Sequence, residues 1–129
     1  MALHRRSNRA RKIGYVGGVI ISFGWTLHAL LSGRKTVTRR CWTEATARRC
    51  VIGSIHQAWS KGPHRGGQYV ADIQIENVRR ESLERFRDAA YAEAELKAEG
   101  GLWKSAEDFV GLFKCQEPYR VQFRIVRRL

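Results

Sequence analysis

The densest group of potentially reactive side chains in the sequence lies between Gly33 and Arg40. Four cations and two threonine hydroxyls occur within these eight residues. Arginine can hold phosphate oxygens with two parallel hydrogen bonds, and lysine adds a compact point charge. The one acidic residue in the first seventy positions is Glu44, so little negative charge is available to neutralise the stretch. The stretch is therefore expected to bind phosphate or substrate, with a solvated basic loop as the alternative.

The same stretch also allows a catalytic interpretation. A threonine hydroxyl attacks a carbonyl carbon only when a neighbouring base removes its proton, and a desolvated lysine can act as that base. Like charge from the flanking arginines disfavours the ammonium form of Lys35. Side chains alternate along a strand, however, so Lys35 and Thr38 would lie on opposite faces of one strand. A working pair needs a turn, or a strand that begins after Lys35.

The pattern Gly33-x-Lys35-x-x-Thr38-x-Arg40 resembles the signature of the ASCH domains, the activating signal cointegrator homology family. Other segments extend the resemblance over roughly residues 18 to 127. These segments are 25–42, which is similar to the family's opening helix and first motif, the loop 59–67, Ala98-Glu99-Gly100 followed by Trp103, and the closing stretch 121–125. The resemblance implies a PUA-like β-barrel that is associated with RNA.

The resemblance also implies roles for individual residues. The family signature usually has glutamate where this chain has Thr38, but one bacterial branch, the small acetylcytidine amidohydrolases, shares the threonine. Similarity to that branch implies that Lys35 is a general base and Thr38 a nucleophile. It also implies that Glu99 is the acid that positions the reacting groups or donates a proton to them. This chain is longer than that branch and carries an additional loop around Trp59 and a basic arm, which suit a polymer better than a single nucleoside.

The distribution of charge indicates a polyanionic partner. The formal net charge is +12, and residues 1–70 hold 13 Lys and Arg against one acidic residue, whereas residues 71–129 hold 11 of each sign. Such an asymmetry favours RNA or DNA over a membrane surface. RNA ranks above DNA because no recognition helix is evident and because aromatic residues near cations suit stacked single-stranded bases.

We therefore predict that the chain binds single-stranded RNA or a modified nucleoside in a basic cleft flanked by Trp42 and Trp59. The residues expected to line this site are Arg34, Lys35, Arg39, Arg40, Trp42, Trp59, Lys61 and Arg65. The first alternative is a hydrolase of the amidohydrolase or ribonuclease type, with Lys35, Thr38 and Glu99 as candidate catalytic residues in the same cleft. The second alternative is a protein-interaction module.

The cysteines and histidines predict neither a disulfide framework nor a metal site. Cys41, Cys50 and Cys115 are odd in number and lack CxxC spacing, so we expect reduced thiols in a cytoplasmic protein. The four histidines have no metal-ligand spacing, and no P-loop or dinucleotide-binding glycine pattern is present. No cofactor or metal is therefore expected.

The N-terminal region is predicted to be separate from the rest of the chain. Residues 1–12 form a basic arm without apolar periodicity, expected to be flexible, and residues 13–129 are expected to form a single domain. An uncharged run follows the arm, from Ile13 to Ser32, and mimics a membrane span. Four glycines interrupt this run, so a strand followed by a helix is expected there, and no membrane insertion.

Alternation and capping signals predict an α+β fold. Residues 69–76 and 119–125 alternate apolar and polar side chains, as half-buried strands do. Further strands are expected at 16–23, 36–42 and 54–60, and helices at 25–32, 44–49, 82–86, 88–99 and after Ser105. Because this order lacks a βαβ rhythm, and because of the ASCH resemblance, we expect a small PUA-like mixed or antiparallel β-barrel with peripheral helices.

Overall fold

A computed structural model describes residues 18–129. The predicted basic arm at 1–12 and the beginning of the predicted first strand lie outside the described residues. From Gly18 onward the uncharged run forms a short strand and then a short helix. No helix among residues 18–129 has the length and apolar character needed to cross a membrane.

Five strands form one mixed sheet. They are β1 (Ile20–Ser22), β2 (Val37–Arg40), β3 (Ile55–Trp59), β4 (Tyr69–Arg80) and β5 (Tyr119–Arg128). The strand order is β1-β3-β4-β5-β2; β1 pairs with β3 in parallel and the other neighbours are antiparallel. The sheet curls into a half-barrel, which confirms the predicted α+β, PUA-like fold class.

Alternation along the strands defines two faces of the sheet. The inner face carries the main core, in which Ile21, Phe23, Ala58, Ile73 and Phe123 are buried and pack together. The opposite side chains of β3, β4 and β5 form the outer face. Some residues, such as Val126, have no direct partner on the neighbouring strand. These irregularities keep the inner-face side chains of β4 aligned with those of β5, and likewise the outer-face side chains.

Within residues 18–129, four α-helices accompany the sheet: α1 (Leu27–Leu31), α2 (Glu44–Arg48), α3 (Ala89–Ala98) and α4 (Ala106–Val110). Short 3-10 helices lie at Gly24–Thr26, Pro63–Arg65 and Leu83–Arg87, the last where a helix is predicted at 82–86. The predicted caps are confirmed for two of the α-helices. The Asp88 carboxylate accepts hydrogen bonds from the Ala90 and Tyr91 N–H groups at the start of α3, and the Ser105 hydroxyl accepts one from Asp108 N–H at the start of α4. A second apolar cluster, built around Phe86 and Phe109, holds α3 and α4 together.

Arg40 connects the two edge strands of the half-barrel. Its Nη2 atom donates a hydrogen bond of 2.7 Å to the carbonyl oxygen of Ser22 on β1, although Arg40 itself lies on β2. Its guanidinium carbon lies 5.3 Å from the centre of the Phe23 ring. The edges of the sheet are therefore bridged by a side chain instead of by a backbone ladder.

The prediction of three reduced thiols is wrong for two of them. Cys41 and Cys115 form a disulfide, with their Cα atoms 6.0 Å apart. Pairing of β2 with β5 places Arg40 opposite Tyr119 and so brings the residues just outside the paired ends together. Cysteine spacing along the chain carries no information about such a contact. The argument for a cytoplasmic location from reduced thiols is lost with it, since disulfides form chiefly in oxidising compartments.

Cys50 is the remaining thiol, and it is buried. It packs with Ile75 and Val121 in a small apolar cluster, as expected of a cysteine with a packing role. Burial raises the pKa of Cys50 to about 11, against the opposing effect of Arg49. Its thiol is therefore protonated and weakly nucleophilic at neutral pH.

Burial of a histidine on β3 is expected to make the free energy of unfolding depend on pH. His56 Nδ1 accepts a hydrogen bond from Val19 N–H, so Nε2 carries the proton and faces the Ser54 hydroxyl at 2.7 Å. Burial lowers the pKa of His56, and Arg49 lowers it further. In the unfolded chain, however, the imidazole takes up a proton near its ordinary pKa. Stability is therefore expected to fall as the pH decreases below about 6.5, by at most ~1.4 kcal/mol per pH unit.

Urea denaturation at pH 7 and pH 5.5 measures this effect. The variant His56→Gln is expected to lose the pH dependence over this interval, whereas His28→Gln, at an exposed position, should keep it. Equal pH dependence in the parent and in His56→Gln would contradict the assignment.

Candidate functional site

The segment that carries the predicted signature forms a tight turn between α1 and β2. Gly33 adopts a positive φ of 82°, which ends α1 at low conformational cost. Lys35 N–H then donates to the carbonyl oxygen of Ala29, and β2 begins only at Val37. Lys35 therefore precedes the strand. Strand alternation does not apply to it, so Lys35 and Thr38 need not lie on opposite faces.

Lys35 and Glu99 form a buried ion pair. The ammonium nitrogen lies 2.8 Å from Glu99 Oε1 and 3.1 Å from the Glu99 carbonyl oxygen. The two side chains are only 3% and 2% exposed. Burial lowers the pKa of Lys35; Glu99 opposes this effect, and the charges of Arg40 and Arg39 add to it. The expected unfavourable effect of neighbouring arginines on the ammonium form is therefore present in the structure.

Glycine at position 100 makes this ion pair possible. Gly100 has a φ of 121°, and a Cβ atom there would lie 3.0 Å from the Ala29 side chain. The end of α3 can therefore approach α1 closely, and Thr36 N–H donates to the Ala98 carbonyl oxygen at the same point. This contact sets Glu99 against Lys35 across 64 residues of sequence.

A larger ion network surrounds the pair and is centred on Arg39. One guanidinium nitrogen donates to Glu99 Oε2 at 2.9 Å, and the other contacts Glu95 and the Tyr91 hydroxyl. Glu95 on α3 and Glu99, the residue that caps its end, are one turn apart, so both face β2. Arg120 on β5 adds a 2.7 Å contact to Glu95. Arg39 thereby holds one oxygen of Glu99, leaving the other for Lys35.

Thr38 lies close in sequence to this pair but has a different partner. Its hydroxyl accepts a hydrogen bond of 3.1 Å from Arg40 Nε, and the residue is buried. The structure thus brings Lys35 and Glu99 into direct contact, while Thr38 is tied to Arg40. Arg40 is the residue that links Thr38 with the edge of β1.

An aromatic pair, Trp25 and Trp103, lies beside Lys35, and we call the surface formed by this pair and the Lys35–Glu99 ion pair the mouth. The Trp25 ring is 67% exposed and packs edge-on against Trp103, with the ring centres 5.4 Å apart. The Lys35 ammonium nitrogen is 6.0 Å from the centre of the Trp103 ring. Both tryptophans lie in the ASCH-like segments, but the sequence predicts no stacking role for them, because 78 positions separate them and no local pattern joins them.

The predicted nucleic-acid residues divide into a buried and an exposed group. Lys35 and Arg39 are buried in the ion network, and the Arg39 side chain has no exposed surface. Trp42 is partly buried and packs against the apolar core. Arg34, Lys61 and Arg65 are exposed. Trp59 is partly buried and stacks on Tyr69, outside the mouth.

The hairpin between β3 and β4 lies next to the mouth. Phe23 N–H donates to the Trp59 carbonyl oxygen, and Gly24 N–H donates to that of Ser60 at 2.7 Å. These bonds place the hairpin, with Lys61 and Arg65, beside Trp25. Gly67 closes the loop tightly, because a Cβ atom there would lie 1.9 Å from the Lys61 carbonyl oxygen. The loop is thus held in one compact conformation.

Comparison with known proteins shows the fold but no closer relationship. No family model and no curated protein matches the sequence. The structure is similar to the crystal structure of ASCH from Zymomonas mobilis, with a TM-score of 0.57 and 13% identity over 85% of this chain and 71% of that one. It is also similar to a protein of Enterococcus faecalis with the family model DUF984, with a TM-score of 0.58 and 16% identity over 87% and 82% of the two chains. The ASCH resemblance seen in the sequence is thereby confirmed at the level of the fold.

Proposed function

We propose that the chain binds single-stranded RNA at the mouth formed by Trp25, Trp103 and the Lys35–Glu99 pair. The observation that carries the proposal is the exposed Trp25 ring, supported edge-on by Trp103 with a lysine ammonium nearby. An aromatic ring held in place at the surface suits stacking of an unpaired base, which contributes about 1–3 kcal/mol per base. Bases in a duplex are already stacked on one another, so this site favours single strands over duplexes.

The rim of the mouth supplies positive charge for the backbone. Arg34, Lys61 and Arg65 are exposed, and none of them forms an ion pair with a carboxylate among residues 18–129. Lys35, by contrast, is buried and neutralised by Glu99, so it adds no net charge to the mouth. The rim therefore attracts phosphates, while the exposed Trp25 ring suits an uncharged base.

The proposal is tested with a labelled single-stranded oligonucleotide at several salt concentrations. Trp25→Ala is expected to weaken binding by about 1–3 kcal/mol with little change in melting temperature. Log affinity should fall linearly with log salt, since bound phosphates release counterions. Ile52→Ala, which removes an exposed apolar side chain elsewhere, serves as the control. Undetectable binding at low salt, indifference to salt, or equal affinities of Trp25→Ala and the parent would refute the proposal.

A second candidate function is hydrolysis at the same mouth. The observation that favours it is the buried Lys35, which contacts Glu99 and whose pKa is lowered. Strand β2 begins only after this residue. A lysine with a lowered pKa can act as a general base, and the buried hydroxyl of Thr38 is the candidate nucleophile. The substrates to consider are an amide on a modified nucleoside, such as acetylcytidine, and RNA itself.

The variant Lys35→Arg separates the two functions. A guanidinium stays protonated, so it can replace a charge but not a base. If the chain is a hydrolase, Lys35→Arg and Thr38→Ala should retain binding and lose turnover of acetylcytidine or RNA, as measured by chromatography of the products. Their melting temperatures control for folding. Absence of turnover by the parent on both substrates would eliminate this candidate for them, and turnover by Thr38→Ala would eliminate the threonine nucleophile.

A further inference from the structure

The outer face of the sheet is open where α3 does not cover it. Arg120 of β5 lies under α3 and contacts Glu95, but further along β5 the side chains are exposed. We call this region the open sheet face; it comprises Gln57, Trp59, Tyr69, Gln74, Arg124 and Arg127. The register confirms that these side chains are neighbours, since Trp59 lies opposite Tyr69 and Gln74 opposite Arg124.

A second aromatic pair lies on this face. The rings of Trp59 and Tyr69 are nearly parallel, with an angle of 14° and centres 6.0 Å apart. The indole N–H of Trp59 donates to Gln57 Oε1 at 2.9 Å, which holds the ring in one orientation. A register shift after Ala58 places Tyr69, instead of Val70, opposite Trp59. The backbone irregularity therefore creates the Trp59–Tyr69 pair. The pair lies on the open sheet face instead of in the core.

The same face presents arginines to solvent. Arg127 donates to Asp72 at 2.8 Å, and its side chain is 56% exposed whereas that of Asp72 is 8% exposed. The guanidinium therefore covers the carboxylate. Arg124 is 63% exposed, and it donates two hydrogen bonds to Gln74 Oε1 at 3.2 and 2.8 Å. Both guanidinium groups are thus positioned by neighbours and accessible from outside.

The hairpin between β3 and β4 connects the open sheet face with the mouth. The carbonyl oxygens of Trp59 and Ser60 accept hydrogen bonds from Phe23 and Gly24, the residues just before Trp25. The exposed cations Lys61 and Arg65 lie on the hairpin that follows. A strand of RNA leaving Trp25 therefore meets positive charge first and then the Trp59–Tyr69 pair.

We infer that the open sheet face is a second base-stacking platform on which the RNA continues from the mouth, so that one strand contacts both aromatic pairs. This inference rests on the proposed RNA binding at the mouth. Partly exposed planar rings and exposed guanidinium groups on a sheet surface suit single-stranded nucleic acid, whose bases stack on aromatics and whose phosphates pair with arginine. A protein partner would be expected to need a more apolar surface at its centre.

Oligonucleotide length tests the inference. A dinucleotide can occupy the mouth alone, whereas a dodecanucleotide can reach both platforms. Trp59→Leu is expected to weaken binding of the dodecanucleotide by roughly 5- to 150-fold and to leave dinucleotide binding unchanged. Arg124→Gln, at an exposed position, should reduce the salt slope of dodecanucleotide binding by about 0.7 without affecting folding. Trp25→Ala should weaken the binding of both oligonucleotides.

The outcomes separate the inference from the proposal on which it rests. If Trp25→Ala weakens binding while Trp59→Leu and Arg124→Gln bind the dodecanucleotide as the parent does, the second platform is wrong and binding at the mouth stands. If neither oligonucleotide binds the parent, both are wrong. Equal affinity of the parent for the two lengths would also overturn the second platform, because a longer strand would then gain no contact.

Discussion

Replacing Arg39 with methionine is expected to lower the free energy of unfolding by about 3–5 kcal/mol, although the two side chains are of comparable length. Arg39 is fully buried and contacts three carboxylates, those of Glu81, Glu95 and Glu99. Without it, the carboxylates are left in the interior with too little positive charge. The cost arises from the groups that remain, and so it exceeds what the loss of one contact suggests.

Equilibrium urea unfolding of Arg39→Met measures this loss. The matched control is Arg48→Met, which removes an arginine from an ion pair with Glu44 that is about 70% exposed on both sides. Exposed pairs of this type contribute at most about 1 kcal/mol, so the control should unfold almost as the parent does. A loss for Arg39→Met no greater than for Arg48→Met would show that the buried network is compensated by relaxation or by water.

Reduction of the Cys41–Cys115 disulfide is expected to lower the free energy of unfolding by about 2–4 kcal/mol. The bond joins residues 74 positions apart, so it removes many open conformations from the unfolded chain. It also ties β2, an edge strand of only four residues, to the segment before β5. Breaking it therefore removes both a restriction on the unfolded chain and an anchor of a short strand.

The measurement is urea unfolding with and without a phosphine reductant. The double variant Cys41→Ser, Cys115→Ser should match the reduced parent and should not respond to the reductant. This comparison also isolates the disulfide from Cys50, whose buried thiol is the same in every sample. A parent whose unfolding curve is unchanged by reductant would contradict the expected contribution.

Local patterns predicted the elements of the fold well. The alternation in β4 and β5, the caps at Asp88 and Ser105, and the glycine after α1 are signals carried by neighbouring residues. Each is set by backbone geometry over a few positions, so it can be recognised without knowing the partner. The ends of β1 and β4 differ from prediction because strand length depends on the adjacent strand.

The candidate site could be predicted only in part. The sequence shows that Arg39 is a cation in a basic stretch, but not that α3 supplies two carboxylates to bury it. The same limit applies to the Trp25–Trp103 pair and to the disulfide, whose members are distant along the chain. Counting charged residues gives the net charge of the chain, whereas the fold decides which cations are exposed. Lys35 stands out in the basic stretch itself, whereas Glu99 is singled out only by the family resemblance, and their roles stay predictions.

The order of the strands also has a consequence for the protein as it leaves the ribosome. β5 lies between β4 and β2 in the sheet, yet it is synthesised after both. At about 5–20 residues per second, β2 emerges roughly 4–18 s before the strand with which it pairs. Until then Lys35 and Arg39 are without part of their final surroundings, and β4 has an unpaired edge open to other nascent chains. A chaperone that shields this edge during translation would therefore be expected to raise the yield of folded protein.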